Sequence, residues 1–402
     1  MDKIEEVLTR GVEEVYPSTK ALEKVLRSGK KIRLYQGFDP SMANLHLGNL
    51  VGVLKLKQFQ DLGHKVIFLV GDFTGMIGDP TDRASTRSLL TRKQVLQNAK
   101  NWKEQAGKIL NFSGKNPVKI MFNSQWSDKI TFKDLITTTS HFTVQQMIER
   151  DFFQRRIKEG KPIFLHEFLY PIAQAIDCVE MDVDLEIGGS DQTFNMLAGR
   201  TLMKALKKKE KYVLTTKILV DAKGEKVGKT TGNALFLNAT PSDMYGGIMS
   251  FPDDVIILGF ELLTKVPLQL IKEHKKALQL KKLNPMNLKK QLAFEIVKMY
   301  HSEKPAKNAE KEFERVFQKG KPPMHHILIY DIKGKEAKAA DIIKILTKSG
   351  SVPSRSEAKR LVVQGGVDIN GKTLTNYQSP IILKEGGIIR AGKRKFIKIR
   401  IN

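Results

Sequence analysis

The sequence is poor in cysteine and has no long hydrophobic run. Its 402 residues include one cysteine, Cys178, which excludes a disulfide within the chain and a zinc site built from several cysteines. So little cysteine is typical of a reducing compartment, and we expect a cytoplasmic protein. The longest apolar run, residues 66–71, is far shorter than the ~20 residues of a membrane span. No membrane partner is therefore expected.

Acidic residues are scarce relative to basic ones. The chain has 68 lysines and arginines against 43 aspartates and glutamates, which gives a net charge of +25. Residues 1–263 carry +6 of this charge, and residues 264–402 carry +19. A solvated basic surface is one explanation. The concentration of charge in one third of the chain instead favours a polyanion, such as a nucleic acid, as partner.

Strand and helix patterns alternate through the first part of the chain. Strands are predicted at residues 32–38, 66–71, 118–123, 182–188 and 212–219, and helices at 46–62, 91–110 and 191–208. This order is typical of α/β proteins with a doubly wound, Rossmann-like parallel sheet. Residues 130–180 have helical patterns, so we expect a helical insertion between two halves of the sheet.

The remainder of the chain is predicted to contain two further domains. Residues 236–322 are basic, mostly helical and punctuated by prolines, which predicts an α-helical domain after an α/β domain at 1–235. Residues 323–336 have the character of a linker. Residues 337–402 predict a small α+β domain, with helices at 338–349 and 355–364 followed by turn-linked strands.

The tetrapeptide HLGN, residues 46–49, opens a predicted helix just after a predicted strand. The unpaired N–H groups and positive dipole of a helix N-terminus attract phosphate. His46 and Asn49 lie three residues apart and share a helical face, from which both can donate hydrogen bonds. Gly48 lets a ligand approach the backbone closely. An isolated histidine is more often structural, but the position after a strand favours a phosphate site.

A second basic motif is KVGKT, in which Lys226 and Lys229 bracket a glycine and Thr230 follows. Lysine is a mobile point charge suited to phosphate. A solvated loop explains the motif equally well when it is considered alone.

Two glycine-rich segments follow predicted strands. In IGGSDQ, Asp191 and Gln192 can bind a ribose or a small polar ligand, or the segment can simply cap a helix. GDFTGMIGDP contains Asp79, and Arg83 and Arg87 follow four residues apart. On a helix these arginines would share a face and could clamp a polyphosphate; the alternative is two exposed side chains.

In the segment YPIAQAID, Tyr170, Gln174 and Asp177 have the i, i+4, i+7 spacing of one helical face. A polar stripe of this kind is most often a solvated face. The aromatic and apolar residues around Asp177 make it a candidate for a ligand site as well.

Together and in this order, the motifs resemble those of the bacterial-type tyrosyl-tRNA synthetases, a family of class I aminoacyl-tRNA synthetases. HLGN stands in place of the HIGH signature, with Asn49 where a second histidine is usual, and KVGKT stands in place of KMSKS. YQGFDPS, GDFTGMIGDP, Y-x-x-x-Q-x-x-D and GGSDQ are further family features. SRSEAKRLVVQGGVDINGK resembles an RNA-binding domain shared with a ribosomal small-subunit protein.

The resemblance implies an enzyme that forms tyrosyl-adenylate from L-tyrosine and ATP, with Mg²⁺ accompanying the ATP, and transfers tyrosine to tRNA(Tyr). It implies a homodimer without a dedicated metal site in the protein. The implied residues of the phosphate chemistry are His46, Asn49, Lys226, Lys229, Thr230, Arg83 and Arg87. The implied ATP site also includes Gly37, Asp39, Gly48 and Asp191.

The implied tyrosine site comprises Tyr35 and Asp177 at the phenol, Asp79, Tyr170 and Gln174 at the ammonium group, and Gln192 near the carboxylate. Two alternatives remain. The related tryptophanyl enzymes share the fold, but Tyr35, Asp177 and the appended RNA-binding domain argue against them. A non-catalytic RNA-binding paralogue is disfavoured because His46 and both signature lysines are retained.

Overall fold

The computed structural model describes residues 2–79, 89–228, 234–318, 327–337, 340–378, 380–392 and 395–402. The chain divides into two compact units, residues 1–302 and residues 303–402. In the described residues there is no helix that combines the length and the apolar character needed to cross a membrane.

The described part of the first unit contains a mixed sheet. Its strands are β1 (Val12–Tyr16), β2 (Arg33–Phe38), β3 (Lys65–Val70), β4 (Lys119–Phe122), β5 (Leu185–Gly189) and β6 (Tyr212–Thr216). They lie in the order β1-β6-β5-β2-β3-β4. All neighbouring pairs are parallel except β1 with β6. This is the predicted doubly wound order, extended by an antiparallel edge strand that the sequence analysis did not predict.

The strand order reverses between β2 and β5. The chain first moves outward from β2 to β3 and β4, and then returns to the other side of β2 as β5. Ligands of open α/β sheets bind at the carboxyl ends of the strands beside such a switch point. The fold therefore predicts a site near Phe38 and Gly189, where β2 and β5 end.

Helices cover the sheet and continue beyond its last strand. Those before β5 are α1 (Lys3–Thr9), α2 (Thr19–Arg27), α3 (Leu47–Asp61), α4 (Thr74–Ile77), α5 (Arg92–Ala99), α6 (Trp102–Gly107), α7 (Ser124–Ser127), α8 (Phe132–Thr139), α9 (Val144–Ile148), α10 (Asp151–Lys158) and α11 (Leu165–Met181). Those after β5 are α12 (Thr193–Lys207), α13 (Pro241–Met249), α14 (Ile256–Leu263), α15 (Leu268–Gln279) and α16 (Pro285–His301). Helices α8 to α11 form the predicted insertion between the two halves of the sheet.

Two stretches predicted to be helical are interrupted. The helix predicted over residues 91–110 is divided into α5 and α6, because Asn101 leaves the helical region of φ and ψ just before α6 begins. Its start is as predicted, since Thr91 forms a capping box with Gln94. Within the helical pattern of residues 130–180, the backbone leaves the helical region at Arg150, just before α10, and the Arg150 guanidinium lies near Asp79.

The second unit contains α17 (Glu303–Phe313), a π-helical turn (Glu314–Gln318), β7 (Leu328–Ile332), α18 (Gly334–Ala337), α19 (Ile342–Lys348), α20 (Arg355–Val363), β8 (Val367–Ile369), β9 (Lys372–Leu374), β10 (Ile388–Ala391) and β11 (Lys395–Ile401). The strands form a sheet in the order β7-β11-β10-β8-β9. Ile343, Leu346, Val362 and Ile397 are buried in its core.

The predicted linker over residues 323–336 needs correction. Residues 328–332 form β7, which pairs in parallel with β11 over five residue pairs from Ile397–Leu328 to Ile401–Ile332. The sequence suggested a loop because this strand lies at the edge of the sheet and is mostly exposed, so it lacks a continuous apolar pattern. Its partner is more than sixty residues away in the chain, and no local pattern indicates the pairing.

Candidate active site

A cavity of about 1090 Å³ opens at the switch point. It is lined by the carboxyl ends of β2 and β5, the first turn of α3, and one face of α11. Thirteen of the predicted site residues lie on its wall: Tyr35, Gly37, Asp39, His46, Gly48, Asn49, Asp79, Tyr170, Gln174, Asp177, Asp191, Gln192 and Lys226. Arg83, Arg87, Lys229 and Thr230 lie outside the described residues.

The inner end of the cavity is formed by buried polar groups. The hydroxyl of Tyr35 donates to Glu186 Oε1 at 2.5 Å, and Gln174 Nε2 donates to the same oxygen at 2.8 Å. The other carboxylate oxygen of Glu186 is paired with Lys211. Burial raises the pKa of Tyr35 well above its ordinary value, so this phenol stays protonated.

Asp177 lies at the same end and accepts two hydrogen bonds. Trp126 Nε1 donates at 2.7 Å and Asn123 Nδ2 at 3.3 Å. Burial raises the pKa of Asp177 well above 3.8; the two donors oppose this shift, and the nearby carboxylates of Glu186 and Asp39 add to it. A buried carboxylate of this kind gains from a ligand that brings it another hydrogen bond.

Asp39 is fixed from two sides beside the carboxyl end of β2. Tyr170 donates to its Oδ2 at 2.8 Å and Thr74 to its Oδ1 at 2.7 Å. Gly71 makes this arrangement possible, since a Cβ at that position would stand 2.0 Å from Asp39 Oδ1. Burial, followed by the charge of Asp39, raises the pKa of Tyr170 well above 10, so its hydroxyl remains the donor.

Asp79 is surrounded by an amide and a buried arginine. Gln192 Nε2 donates to its Oδ2, and Arg150 Nη2 lies 3.6 Å from its Oδ1. Arg150 is covered by the rings of Phe152 and Phe194. Burial lowers the pKa of this guanidinium, with Asp79 opposing the shift. The arrangement holds a carboxylate at the cavity wall, where it can meet a cationic group.

The two signature motifs meet at the outer part of the cavity. His46 forms a β-bridge with Phe236, and Leu47 N donates to Leu235 O at 3.0 Å, which places the segment after KVGKT beside the start of α3. Asn49 Oδ1 accepts from His46 N at 3.0 Å, so the Asn49 side chain caps the helix through its oxygen. Its amide nitrogen is then the atom suited to donate to an anion.

Lys226 and Asp191 form a half-exposed ion pair at the same end. Lys226 Nζ lies 2.8 Å from Asp191 Oδ2, so the cation of one motif touches the acid of another. Gly48 leaves room for the His46 ring, because a Cβ there would stand 2.9 Å from His46 Cε1. This outer end therefore combines a lysine, an imidazole and a helix N-terminus, which are groups suited to phosphate.

Several residues of the site were not predicted from the sequence. They are Thr74, Asn123, Trp126, Arg150, Glu186 and Lys211. Asn123 follows β4 directly, so its place at the carboxyl end of a strand was an available signal. Glu186 stands inside the otherwise apolar buried strand β5, and a charge at such a position was also a signal.

Among the residues that the structure describes, no group of three or more histidine, cysteine, aspartate or glutamate side chains is arranged to hold a metal ion.

The fold is that of a class of aminoacyl-tRNA synthetases. Residues 27–318 match the family model of class I tRNA synthetases (W and Y), and residues 342–381 match the S4 domain. The chain is thus a class I synthetase with an appended S4 domain, as the sequence motifs predicted.

Its relatives define the branch of this class. The chain is 41% identical to the tyrosine–tRNA ligase of Thermotoga maritima, over 98% of this chain and 96% of that protein. It is 40% identical to that of Haemophilus influenzae over 98% and 96%. A C-terminally truncated mitochondrial tyrosyl-tRNA synthetase from Coccidioides posadasii superposes with a TM-score of 0.62 at 25% identity, covering 77% of this chain and 91% of that one. The chain belongs to the tyrosine–tRNA ligases.

Proposed function

We propose that the cavity binds L-tyrosine and ATP, forms tyrosyl-adenylate, and presents it to the terminal ribose of tRNA(Tyr). The observation that carries this proposal is the inner end of the cavity, where Tyr35 and Asp177 bring two buried oxygen groups to a single place. A site built to bond a hydroxyl rejects the analogue that lacks it, because its own polar groups are then left unpaired; the standard example of this effect comes from the present enzyme family.

The proposed tyrosine site runs outward from that end. Tyr35 and Asp177 bind the phenol hydroxyl. Asp79 receives the ammonium group, with Tyr170 and Gln174 beside it. Gln192, which is held against Asp79, lies near the carboxylate of the substrate. The proposed arrangement is supported by the presence of all six side chains in the lining of one cavity.

The proposed ATP site occupies the outer part of the cavity. Gly37, Gly48 and Asp39 border the nucleotide, and Asp191 bonds the ribose. His46, Asn49 and Lys226 face the phosphates, joined by Lys229, Thr230, Arg83 and Arg87 from outside the described residues. Mg²⁺ arrives with ATP as part of the substrate and offsets charge on its phosphates.

The first chemical step needs no general base. The tyrosine carboxylate is already ionised, and its oxygen attacks the α-phosphorus of ATP. The bond from that phosphorus to the bridging oxygen breaks, and its electron pair leaves with pyrophosphate. The residues of the cavity therefore act by holding the two substrates in line and by stabilising the charge that develops on the leaving group.

The basic C-terminal part of the chain is proposed to bind tRNA. Residues 337–402 carry a net charge of +10, and the S4 match lies within them. Deletion of residues 319–402 should leave tyrosine activation intact while tRNA charging falls steeply. The cut precedes β7, because a cut at 337 would leave that strand without β11. Binding to tRNA should lose about 0.7–0.9 log units per contacted phosphate for each log unit of salt, and the truncated protein should show a shallower slope.

We further propose a homodimer formed through the helical insertion. Three large apolar side chains there are mostly exposed: Phe132 at 78%, Val144 at 72% and Leu165 at 84%. Exposed apolar groups concentrated in one segment are typical of a surface that another protein covers. The cytoplasm is the proposed location. Sedimentation of the native protein, compared with that of the double variant Phe132→Ser, Leu165→Ser, tests the dimer.

Amino-acid-dependent exchange of pyrophosphate into ATP tests the central proposal. With the twenty amino acids assayed separately, tyrosine alone should support rapid exchange. Exchange with tryptophan would place the chain in the sister branch. Absence of exchange with every amino acid, alongside retained tRNA binding, would favour the non-catalytic RNA-binding paralogue.

A further inference from the structure

The backbone that leads into His46 is held by a glutamine from another helix. Gln105 lies on α6 and is 5% exposed. Its Oε1 accepts from Leu45 N at 2.8 Å, and its Nε2 donates to Asn44 Oδ1 at 3.1 Å. One amide group therefore bonds both residues that directly precede His46. A buried backbone N–H is costly to leave unpaired, so the bond from Leu45 fixes where this segment lies.

Gln105 is in turn braced by the last turn of α16. The Tyr300 hydroxyl donates to Gln105 O at 2.5 Å, and Tyr300 is 5% exposed. Burial, with the charge of Glu104 adding to it, raises the pKa of Tyr300 above its ordinary value, so the hydroxyl keeps its proton and remains the donor. The last carbonyls of a helix lack partners within it, and this bond satisfies one of them in α6. Helix α16 thus fixes the helix that carries Gln105.

The neighbours of His46 are also bonded to the segment that follows KVGKT. Leu45 O accepts from Leu237 N at 2.8 Å, and Leu47 N donates to Leu235 O at 3.0 Å. These bonds come from a segment next to a motif that the proposed function assigns to the nucleotide. The glutamine of α6 instead anchors the same backbone to a helix that does not belong to either signature motif.

This link ends at a residue of the cavity wall. His46 lines the cavity, whereas Gln105 and Tyr300 do not. Any effect of these two residues on catalysis is therefore indirect, and it passes through the position of the segment that carries His46. Such effects can be large, since a displacement of about 1 Å at a catalytic group can cost roughly a hundredfold in rate.

We propose that Gln105, braced by Tyr300, is a positioning residue that sets the place of His46 against the phosphates of ATP. The inference rests on the proposed function, which puts His46 at those phosphates. It adds that a buried glutamine outside the cavity determines how well the imidazole meets the charge that develops on the leaving pyrophosphate. Because this contact strengthens as the charge develops, its loss should slow adenylate formation without weakening tyrosine binding.

Substitution of Gln105 tests this role. Gln105→Met keeps the length of the side chain and removes both bonds, so adenylate formation should slow by about 10- to 100-fold. The dissociation constant of tyrosine should change by less than about twofold. Gln105→Glu should recover most of the rate, because its carboxylate still accepts from Leu45 N and the Asn44 amide can turn its NH₂ group toward it. Rapid mixing with saturating tyrosine and ATP measures the rate, and equilibrium dialysis measures tyrosine binding.

Gln60 provides the matched control. It is another glutamine that is 5% exposed, and it lies near the end of α3 that is opposite to His46. Its Nε2 donates to Asn111 O at 2.7 Å and to Asn116 O at 2.8 Å. Gln60→Met should therefore lower stability, as measured by urea unfolding, and leave the rate of adenylate formation unchanged. Equal slowing by Gln60→Met and Gln105→Met would contradict the positioning role.

A double-variant cycle tests whether Gln105 acts through His46. In a His46→Ala background, Gln105→Met should change the rate by less than about twofold, because no imidazole is left to position. An equal cost in both backgrounds would overturn this inference and leave the proposed function standing. A rate that His46→Ala leaves unchanged would overturn the placement of His46 at the phosphates and this inference with it. No adenylate formation from tyrosine by the native protein would overturn the proposed function as a whole.

Tyr300→Phe decides the matter if Gln105→Met fails to fold, because it removes only a hydroxyl. It should slow adenylate formation by about three- to tenfold, the effect of one hydrogen bond, and it should have no such effect in the His46→Ala background. An unchanged rate in Tyr300→Phe, or the same slowing in both backgrounds, would then overturn the inference.

Discussion

The two ends of the cavity are built differently. At the inner end, Tyr35 and Asp177 are buried and Gln174 is partly buried. Tyr35 lies on β2, and the other two lie on the long helix α11. At the outer end, Lys226 and Asp191 are half-exposed and lie on connecting segments. The inner end is therefore fixed before a ligand arrives, whereas the outer end relies on side chains that can follow a flexible polyphosphate. Selectivity suits the first arrangement, and charge stabilisation suits the second.

Breaking the ion pair behind the inner end should have the largest effect. Lys211→Met leaves Glu186 as an uncompensated buried charge, and we expect a loss of about 3–5 kcal/mol in the free energy of unfolding. Urea unfolding of the variant measures the loss. The double variant Lys211→Met, Glu186→Gln should recover most of it, because neither side chain is then charged. A double variant as unstable as the single one would mean that packing, and not charge, is at stake.

At the outer end, loss of a cation should affect the rate and spare the fold. Lys226→Ala should raise the barrier to adenylate formation by about 2.7–4 kcal/mol, the usual cost of one donor to a developing anion. Equilibrium binding of tyrosine should change little, since the proposed tyrosine site lies at the other end. Rapid-mixing measurements of adenylate formation beside tyrosine binding check this expectation. An equal loss in both quantities would contradict the separation of the two ends.

Asp177→Asn should weaken selection without weakening the fold. The preference for tyrosine over phenylalanine should fall by about 1–3 kcal/mol, because one of the two proposed partners of the phenol is altered. The pKa of Asp177 is raised by burial, so its contribution to stability is present at low pH and is lost as the pH rises above about 3.8. The substitution should therefore cost little stability at pH 8. Ratios of kcat/KM for the two amino acids, with unfolding curves at pH 5 and pH 8, test both points.

The smallest effect on activity should come from the other end of the strands, where His64 directly precedes β3. Burial, followed by the charge of Lys31, lowers the pKa of His64 from 6.5 to about 4. The native protein should thus lose stability as the pH falls from 6.5 toward 4, by up to about 1.4 kcal/mol per pH unit. His64→Gln should flatten this dependence and leave tyrosine activation unchanged. An unaltered pH profile of unfolding in the variant would assign the acid sensitivity to other groups.

The difference between local patterns and contacts between distant residues explains what could be predicted from the sequence. The parallel sheet and the helix behind His46 follow from local patterns, because apolar periodicity and a capping turn act over a few residues. The residues of the cavity wall were found through motifs. Glu186 and Lys211 carried no motif, and their meeting with Tyr35 depends on the pairing of β2 with β5 across some 150 residues. Arg150 lies in a segment predicted to be helical, and its approach to Asp79, which is distant in the chain, could not be predicted from a local pattern.

The pairing of β2 with β5, which joins the two halves of the sheet, has a consequence for folding. The strands pair at two positions, Leu34 with Leu185 and Tyr35 with Glu186, and the partners lie about 150 residues apart in the chain. Closing so long a loop is slow, so the two halves of the sheet should each gain structure before they join. The cavity exists only after they have joined. In the proposed site, tyrosine contacts Tyr35 on the first half and Gln192, just after β5, on the second. Bound tyrosine should therefore slow the separation of the halves and prolong the life of the folded enzyme under protease.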